Sequence, residues 1–310
     1  LPHSTGEVRE FTLPARTLSE IVNKLSDPNV KLIFENGSVQ LLGGKSSFNL
    51  NTLPADDFPA LPEEESENSI SLEVKQFAQA IRQTSFATAS DSSKTILTGI
   101  YIFAKGKQLK LAATDGYRLA ERTLPVKKLV DTVAIIVPCR TLNELERLLK
   151  QTSDEQFQMS CVGNQVIFHL GTEVLTSRLI EGKYPDYSKI LPREFERNAL
   201  IDTRSFLEAV ERAAILASEQ THVVTLEIRS QEMIISSAAE LGQAHESVEI
   251  QYEGEPLIIN FNARYLIDAL KIFAEDTPVV SFNLNGEVHP AVLQGLNRDD
   301  YVCMLMPIKP

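Results

Sequence analysis

Residues 135–150 read IIVPCRTLNELERLLK, and this stretch decides the fold. Its β-branched start favours a strand. The residues after the proline place apolar side chains at helical spacing, at Leu142, Leu145, Leu148 and Leu149. The pattern predicts a strand that runs directly into an amphipathic helix, with one helix face in a core.

The same transition occurs three times in the chain. FTLPAR at residues 11–16 and IINFNAR at residues 258–264 match IIVPCR at residues 135–140, and the closing arginines are 124 residues apart in both intervals. After each helix we expect a hairpin with a glycine in its turn. We name this half-unit type B. Its three turns are Asn36-Gly37, Gly163-Asn164 and Asn285-Gly286.

A second half-unit, type A, occurs twice. Its two helices carry apolar residues at matching positions, 129 residues apart. These positions are Phe77, Ala80 and Ile81 in the first copy and Phe206, Ala209 and Val210 in the second. The order along the chain is therefore B, A, B, A, B, which predicts an α+β protein made of repeated domains.

The repeat order also predicts the domain boundaries. Residues 1–68 form the second half of a first domain whose first half, about 60 residues by comparison with the other A halves, is expected to be missing. Residues 69–194 and 195–310 form two complete A-B domains. Linkers are expected at residues 56–67 and 182–196.

Composition limits the possible functions. The chain has 310 residues, of which 43% are hydrophobic, and no apolar run approaches the length of about 20 residues that spans a bilayer. Three scattered cysteines indicate neither a disulfide framework nor a zinc site, so we expect a cytoplasmic protein without metal or cofactor. The net charge of −12 opposes binding to phosphates, so charge alone argues against a DNA partner.

Two short motifs suggest catalysis, but a turn explains each of them better. GGKS at residues 43–46 resembles a phosphate-binding loop, yet Val39 stands where that motif needs glycine. TDGYR at residues 114–118 has the Asp-Gly of a tight turn and no second carboxylate or histidine nearby. The five histidines stand singly. These motifs therefore do not indicate an enzyme. The main rival interpretation is a hydrolase or other enzyme on a duplicated α+β scaffold.

Longer motifs carry a family resemblance. Six segments resemble the bacterial DNA polymerase III beta subunit, the beta sliding clamp, in the correct order along the whole chain. They are ILTGIYIF (96–103), LAATDGYRLA (111–120), IVPCRTLNEL (136–145), LIEGKYPDYSKILP (179–192), RAAILASE (212–219) and YVCMLMP (301–307). A plain protein-interaction scaffold without DNA is the second rival.

The resemblance implies an architecture and a mode of action. It implies repeated clamp domains in a pseudo-symmetric arc, with helices on the inner face and antiparallel sheet outside. Two copies would form a head-to-tail ring around duplex DNA, near the nucleoid. A topological link tolerates an acidic protein, because weak screened contacts are enough.

Basic side chains on the helices are the candidates for contact with DNA, although a solvated helix face would show a similar pattern. They are Lys24, Lys75, Arg82, Arg147, Lys150, Arg204, Arg212, Arg264 and Lys271. The resemblance further assigns Phe48 and Leu50 to one side of the dimer interface. Ile215 and Leu216 are assigned to the other side.

The resemblance also implies a groove that binds short motifs, roughly Gln-Leu-x-Leu-Phe. The motifs would come from the polymerase III alpha subunit, the clamp loader, other polymerases and mismatch-repair proteins. Methionines suit such a groove, because flexible thioethers adapt to different ligands. The matching residues are Leu97, Thr114, Gly116, Tyr117, Arg118, Leu119, Pro185, Lys189, Ile190, Pro290, Met304, Leu305, Met306, Pro307 and Ile308.

Some residues depart from the family pattern. Tyr117 stands where many relatives have histidine, and Lys189 where some have arginine, which is expected to shift motif preference. Thr95 and Ile96 replace tyrosines that some relatives place near DNA. We therefore expect little DNA contact from that loop.

Overall fold

A computed structural model describes residues 11–35, 37–53, 55, 69–218 and 220–309. The chain forms two compact units, Leu1–Glu63 and Glu64–Pro310. Residue 68, the expected end of the first domain, and the linker expected at residues 56–67 lie outside the described residues.

The secondary structure alternates between single helices and groups of antiparallel strands. The helices are α1 (Ala15–Lys24), α2 (Val74–Ser85), α3 (Cys139–Leu149), α4 (Thr203–Ala214) and α5 (Ala263–Phe273). The strands are β1 (Lys31–Glu35), β2 (Ser38–Gly43), β3 (Ser46–Asn51), β4 (Ile70–Glu73), β5 (Gly99–Thr114), β6 (Arg118–Pro138), β7 (Gln156–Val162), β8 (Gln165–Leu170), β9 (Glu173–Arg178), β10 (Arg197–Asp202), β11 (Val223–Ile228), β12 (Glu232–Ala239), β13 (Gly242–Glu253), β14 (Leu257–Asn262), β15 (Val279–Leu284), β16 (Ala291–Gly295) and β17 (Tyr301–Leu305).

The described part of the first unit contains one helix, α1, and a three-stranded sheet in the order β1-β2-β3. Val39 and Leu41 of β2 are fully buried. We expected an apolar face of α1 to lie in a core, but the described part of α1 contains no buried residue and Val22 is exposed. Three short strands offer too little area to cover the apolar stripe of a helix.

The helices of the second unit match their sequence pattern closely. In α4, Phe206, Ala209, Val210 and Ala213 are all buried, at the spacing of one helix face. Asp202 precedes this helix and accepts a hydrogen bond from the Ser205 backbone N–H at 2.8 Å. Such a cap stabilises a helix by about 1 kcal/mol.

Two sheets in the second unit support these helices. One has four strands in the order β4-β7-β8-β9, and the other has ten in the order β14-β11-β12-β13-β10-β15-β16-β17-β6-β5. The pairing of β17 with β6 is antiparallel and joins the last strand of the chain to the expected second domain. The sheet therefore continues from residues 69–194 into residues 195–310.

The ten-stranded sheet has a separate apolar cluster on each face. Tyr301, Cys303 and Leu305 of β17 belong to the large cluster that includes α2 to α5, which we call the helix-side core. Val302 and Met304 point to the opposite face, because side chains alternate along a strand. The segment of residues 180–195 covers that second face. We name the second group the linker-side cluster; its buried members are Ala112, Leu119, Ile136, Tyr184, Tyr187, Val292, Val302 and Met304.

The glycine turns agree with the sequence in part. Gly163 has φ 59° between β7 and β8, whose register pairs Val162 with Gln165, so this two-residue turn is confirmed. Gly44 likewise lies in the turn between β2 and β3, not in a phosphate loop. The Asn285-Gly286 turn is part of a six-residue loop, and Asn36 lies outside the described residues.

Candidate functional site

The tip of the β5–β6 hairpin is tightly held. The carboxylate of Asp115 accepts hydrogen bonds from the backbone N–H of Tyr117 at 2.8 Å and of Arg118 at 3.0 Å. The Thr114 hydroxyl donates to the Arg118 carbonyl at 2.6 Å and accepts from the Gly116 N–H. Gly116 has φ 97°, a conformation that favours glycine. The TDGYR motif is thus a turn that fixes two groove candidates, Tyr117 and Arg118.

Arg118 connects this tip to α5. Its guanidinium lies 4.5 Å from the centre of the Tyr265 ring and 5.3 Å from that of Phe86. Nη1 is 2.6 Å from Asp268 of α5, and Nε is 3.1 Å from Asp115. Its side chain is 11% exposed. Two carboxylates and two rings therefore hold this groove candidate in place.

Tyr117 lies exposed beside this contact. Its ring stacks on Tyr265 with 6.3 Å between centres, and the Lys94 ammonium lies 5.4 Å from the ring. Lys94 also donates to the Asp115 carbonyl at 3.1 Å. Sequence reasoning missed Tyr265 and Lys94. No local pattern marks them, because Tyr265 is on a helix far away in the chain.

Several groove candidates do come together on the linker side. Leu119 and Met304 are buried there, with Leu97 and Met306 partly exposed against them. The Met306 N–H donates to the Tyr117 carbonyl at 2.8 Å, which continues the β17–β6 pairing up to the hairpin tip. Thioethers and aliphatic side chains therefore lie next to the hairpin tip, whereas the Tyr117 ring stacks on Tyr265.

Leu305, also a groove candidate, does not lie with these residues. Its side chain is 1% exposed and lies in the helix-side core. The register pairs Met304 with Leu119 and Leu305 with Arg118, so neighbouring residues of β17 necessarily face opposite sides. Thr114 is also buried, and its contribution is to the turn itself.

The remaining groove candidates lie on loops. Pro185, Lys189 and Ile190 are exposed on the linker segment, where Lys189 pairs with Asp186 at 3.2 Å. Pro290 is in the loop before β16, and the Ile308 N–H donates to the Asn260 carbonyl at 2.8 Å. Pro307 lies between Met306 and Ile308 and is partly exposed.

The linker segment is anchored by a tyrosine. The Tyr187 hydroxyl donates to Glu121 at 2.5 Å, and Lys110 approaches the other carboxylate oxygen at 2.9 Å. Burial, and next the charge of Glu121, raise the pKa of Tyr187, so its proton stays in place to make this bond. A cavity of about 900 Å³ opens beside the anchor, and Pro185 is the one groove candidate among its lining residues.

The cationic helix residues fall into two classes. Five have a carboxylate within 4 Å: Arg82, Arg147, Lys150, Arg212 and Lys271. The other four make no ion pair with any residue that the structure describes: Lys24, Lys75, Arg204 and Arg264. Sequence reasoning could not separate the two classes, because most of the pairs join different elements.

The interface candidates lie at sheet edges and helix ends. Phe48 is exposed and Leu50 partly exposed on β3. Ile215, just after α4, is 77% exposed, and Leu216 is partly exposed. Leu241, in the turn between β12 and β13, is 92% exposed and was missed by the sequence analysis. A leucine so exposed in a turn has no local signature.

Comparison with known proteins decides the family. Models of the N-terminal, central and C-terminal domains of the DNA polymerase III beta subunit match residues 3–62, 71–186 and 188–309. The beta sliding clamp of Synechococcus elongatus is 35% identical over 308 residues, covering 96% of this chain and 81% of that protein. The chain belongs to the beta sliding clamp family.

Solved beta sliding clamps share the fold. The DNA polymerase sliding clamp from Bacillus subtilis superposes with a TM-score of 0.90 at 31% identity, covering 97% of this chain and 80% of that one. A clamp from Pseudomonas aeruginosa bound to griselimycin gives a TM-score of 0.88, also at 31% identity, covering 97% and 81%. The expected α+β fold of repeated domains is confirmed.

Membership of the beta sliding clamp family also settles the class of function. The chain is a DNA sliding clamp of replication, a non-catalytic component of the polymerase machinery. Within the described residues, no group of three or more histidine, cysteine, aspartate or glutamate side chains is placed to hold a metal. No helix there has the length and apolar character needed to cross a bilayer.

Proposed function

We propose that two copies of this chain join head to tail, encircle duplex DNA and slide along it. The ring tethers the polymerase III alpha subunit, the clamp loader, other polymerases and mismatch-repair proteins through a groove for short linear motifs. It acts in the cytoplasm on the nucleoid. We divide each subunit into residues 1–68, 69–194 and 195–310.

The observation that carries the ring proposal is a pair of incomplete sheet edges. Among the described residues, β3 pairs with β2 alone. Residues 242–249 of β13 pair with β12 alone, since the pairing with β10 begins at Ile250. An unpaired edge offers a row of free N–H and C=O groups to another strand. One edge of each kind per copy is what a closed head-to-tail dimer needs.

Exposed apolar side chains accompany both edges. Phe48 stands on β3 itself. Ile215 and Leu241 lie near the incomplete edge of β13, where Leu216 approaches the Gly242 backbone. Burying such side chains against a second copy removes apolar surface from water, which stabilises the contact. Edge pairing and apolar burial thus support the same interface.

Weak DNA contact is supported by the charge pattern. The chain carries a net charge of −12, and five of its nine candidate cations already contact carboxylates. Few phosphates are then neutralised, so little counterion release favours binding. Retention on DNA must come from topology, which leaves the ring free to slide.

The groove is supported by the arrangement around the hairpin tip. Met306 and Leu97 lie partly exposed against buried Leu119 and Met304, with Tyr117 nearby. Flexible thioethers accept leucine and phenylalanine side chains in more than one arrangement. One relative, the clamp from Pseudomonas aeruginosa, has been solved bound to griselimycin.

Retention on circular DNA tests the encirclement. The protein is loaded onto nicked circular duplex with a clamp loader and washed in high salt, and the circle is then cut with a restriction enzyme. We expect the protein to stay on the circle and to leave once the circle is linear. Equal retention on circular and linear DNA would show that the attachment is not topological.

Solution mass tests the interface. Ile215→Arg places a charge in the proposed contact and is expected to shift the protein from dimer to monomer in analytical ultracentrifugation. Val174→Arg is the matched control, because Val174 is also exposed but lies on β9. Monomers from both variants, or dimers from both, would place the interface elsewhere.

A further inference from the structure

One carboxylate on α3 holds two of the cations that are candidates for DNA contact. Oε1 of Glu146 lies 2.5 Å from Nζ of Lys150, the residue that follows α3, and 3.8 Å from Nε of Arg82, on α2. Nη2 of Arg82 also lies 3.8 Å from Glu275. The Glu146 side chain is 14% exposed, whereas those of Lys150 and Arg82 are 53% and 40% exposed. The acid is therefore recessed, and the two bases project towards solvent.

These two cations belong to a larger basic site. A cavity of about 890 Å³ between α2 and the segment after α3 is lined by four cations, Lys75, Arg82, Lys127 and Lys150, and by three carboxylates, Glu73, Asp154 and Glu155. Lys75 and Arg82 are seven residues apart on one face of α2. Lys75 has no carboxylate within 4 Å among the described residues. Of the four cations, two pair with Glu146, Lys127 lies 3.9 Å from Glu73, and Lys75 has no such partner among the described residues.

The helix pair α4–α5 has a similar ion pair between neighbouring helices, with acid and base on opposite partners. Glu211 of α4 lies 3.0 Å from Lys271 of α5. In the α2–α3 pair the base, Arg82, is on the first helix and the acid, Glu146, is on the second. In the α4–α5 pair the acid is on the first helix and the base on the second. Both pairs of helices therefore hold a candidate DNA cation by a carboxylate from the neighbouring helix.

A cation that already has a carboxylate partner is a poor ligand for phosphate. The phosphate must displace that carboxylate, and the gain from releasing a counterion is reduced by the loss of the internal pair. Exposed ion pairs are weak, so the displacement is possible but reduces the affinity. The number of carboxylates near the cations then sets how firmly DNA is held.

We propose that Glu146 competes with DNA phosphates for Arg82 and Lys150, and that Glu211 competes in the same way for Lys271. The inference rests on the proposed contact between these helices and DNA. It assigns to acidic residues on the DNA side the task of keeping the contact weak. Removing the competitor makes the protein bind DNA more tightly.

Glu146→Gln tests this directly, because it keeps the shape of the side chain and removes its charge. Affinity for a short fluorescent duplex is measured by anisotropy across a salt series. We expect affinity at low salt to rise at least about threefold and the slope of log affinity against log salt to steepen by about 1 to 2. Lys150 loses its carboxylate partner in this variant, and Arg82 keeps only Glu275, at 3.8 Å. Glu211→Gln frees one cation and is expected to give a smaller change in the same direction.

Glu227→Gln is the matched control for net charge. Glu227 pairs with Arg229 at 2.6 Å, near the turn between β11 and β12, and points away from the helix-side core residues Leu226 and Ile228. The control removes one negative charge without freeing a helix cation, so a much smaller change is expected. An equal effect of Glu146→Gln and Glu227→Gln would overturn the proposal, because net charge alone would then explain it.

Lys75→Gln separates this inference from the proposed function. It is expected to weaken binding and reduce the salt slope by about 1, as for one lost phosphate contact. If Lys75→Gln weakens binding while Glu146→Gln and Glu211→Gln change nothing, the competition is refuted and the DNA contact stands. If Lys75→Gln has no effect either, both the inference and the DNA-facing role of α2 are refuted.

Discussion

The two faces of the ten-stranded sheet are built from different side chains. On the helix side, phenylalanines pack closely; the rings of Phe206 and Phe261 each lie 5.9 Å from that of Phe282. On the linker side, Tyr101 stacks on Tyr184 at 5.0 Å, and Met306 lies partly exposed at the margin. One face is closed by helices, and the other is closed by an irregular segment that leaves side chains accessible.

This difference shows how one sheet serves two purposes. The helix side needs only a fixed shape, and uniform apolar residues provide it through close packing. The linker side must hold an irregular segment and leave room for ligands, so it uses tyrosines with hydrogen-bonded hydroxyls and adaptable methionines. The comparison predicts that substitutions on the helix side change stability, whereas substitutions on the linker side also change ligand binding.

The largest effect is expected from Phe206→Ala. This ring is fully buried in the helix-side core, and its removal leaves a cavity that should cost about 3–5 kcal/mol of unfolding free energy. Urea denaturation followed by circular dichroism measures the change. Ile190→Ala, at an exposed linker position, is the control and should change stability by less than about 0.5 kcal/mol. Similar costs at the two sites would remove the distinction between the faces.

The next effect concerns the anchor of the linker. Tyr187→Phe removes the hydroxyl that donates to Glu121, and hydrogen bonds to charged groups contribute about 1.5–3 kcal/mol. Stability should fall by that amount in the same urea experiment. In the control, Tyr252→Phe removes a hydrogen bond of equal length to the uncharged backbone carbonyl of Glu255. The loss of unfolding free energy should then be smaller, at most about 1.5 kcal/mol. A larger loss in the control would mean that the charge of Glu121 adds nothing.

Met306→Ala should weaken peptide binding. A deep anchor in a groove typically costs about 1–3 kcal/mol when truncated, so a fluorescent Gln-Leu-x-Leu-Phe peptide should bind severalfold to a hundredfold less tightly. Fluorescence anisotropy gives the affinity. Met233→Ala, fully buried in the helix-side core, should lower stability and leave the affinity unchanged. If Met233→Ala weakened peptide binding and Met306→Ala did not, the groove would lie on the helix side of the sheet.

The smallest effect is expected for the contact of Arg118 with Asp268. The atoms are 2.6 Å apart, but the Asp268 side chain is 44% exposed, so solvent screens the pair. A double-mutant cycle with Arg118→Met and Asp268→Asn should give a coupling of about 0.5–1 kcal/mol in unfolding free energy. The exposed pair Arg16–Glu20 should show no measurable coupling. No coupling would mean that Asp115 and the two aromatic rings hold Arg118 without help from Asp268.

Local features of the fold could be predicted from the sequence. The buried faces of α2, α3, α4 and α5 lie where helical spacing placed them. The turn at Gly163 and the Asp115 turn also follow from residue type alone, because glycine and aspartate favour those backbone conformations. The repeat and the family motifs added the domain order.

Other features depended on which parts of the chain meet. The face taken by Leu305 follows from the register of β17 against β6, and one residue of shift would exchange it with Met304. Asp268 lies 150 residues from its partner Arg118 in the chain, and Glu146 of α3 forms an ion pair with Arg82 of α2. Periodicity and turn chemistry act over a few residues, so the sequence determined the elements and their buried faces. Register, ion pairing and exposure arise between distant segments, and only the tertiary structure decided them.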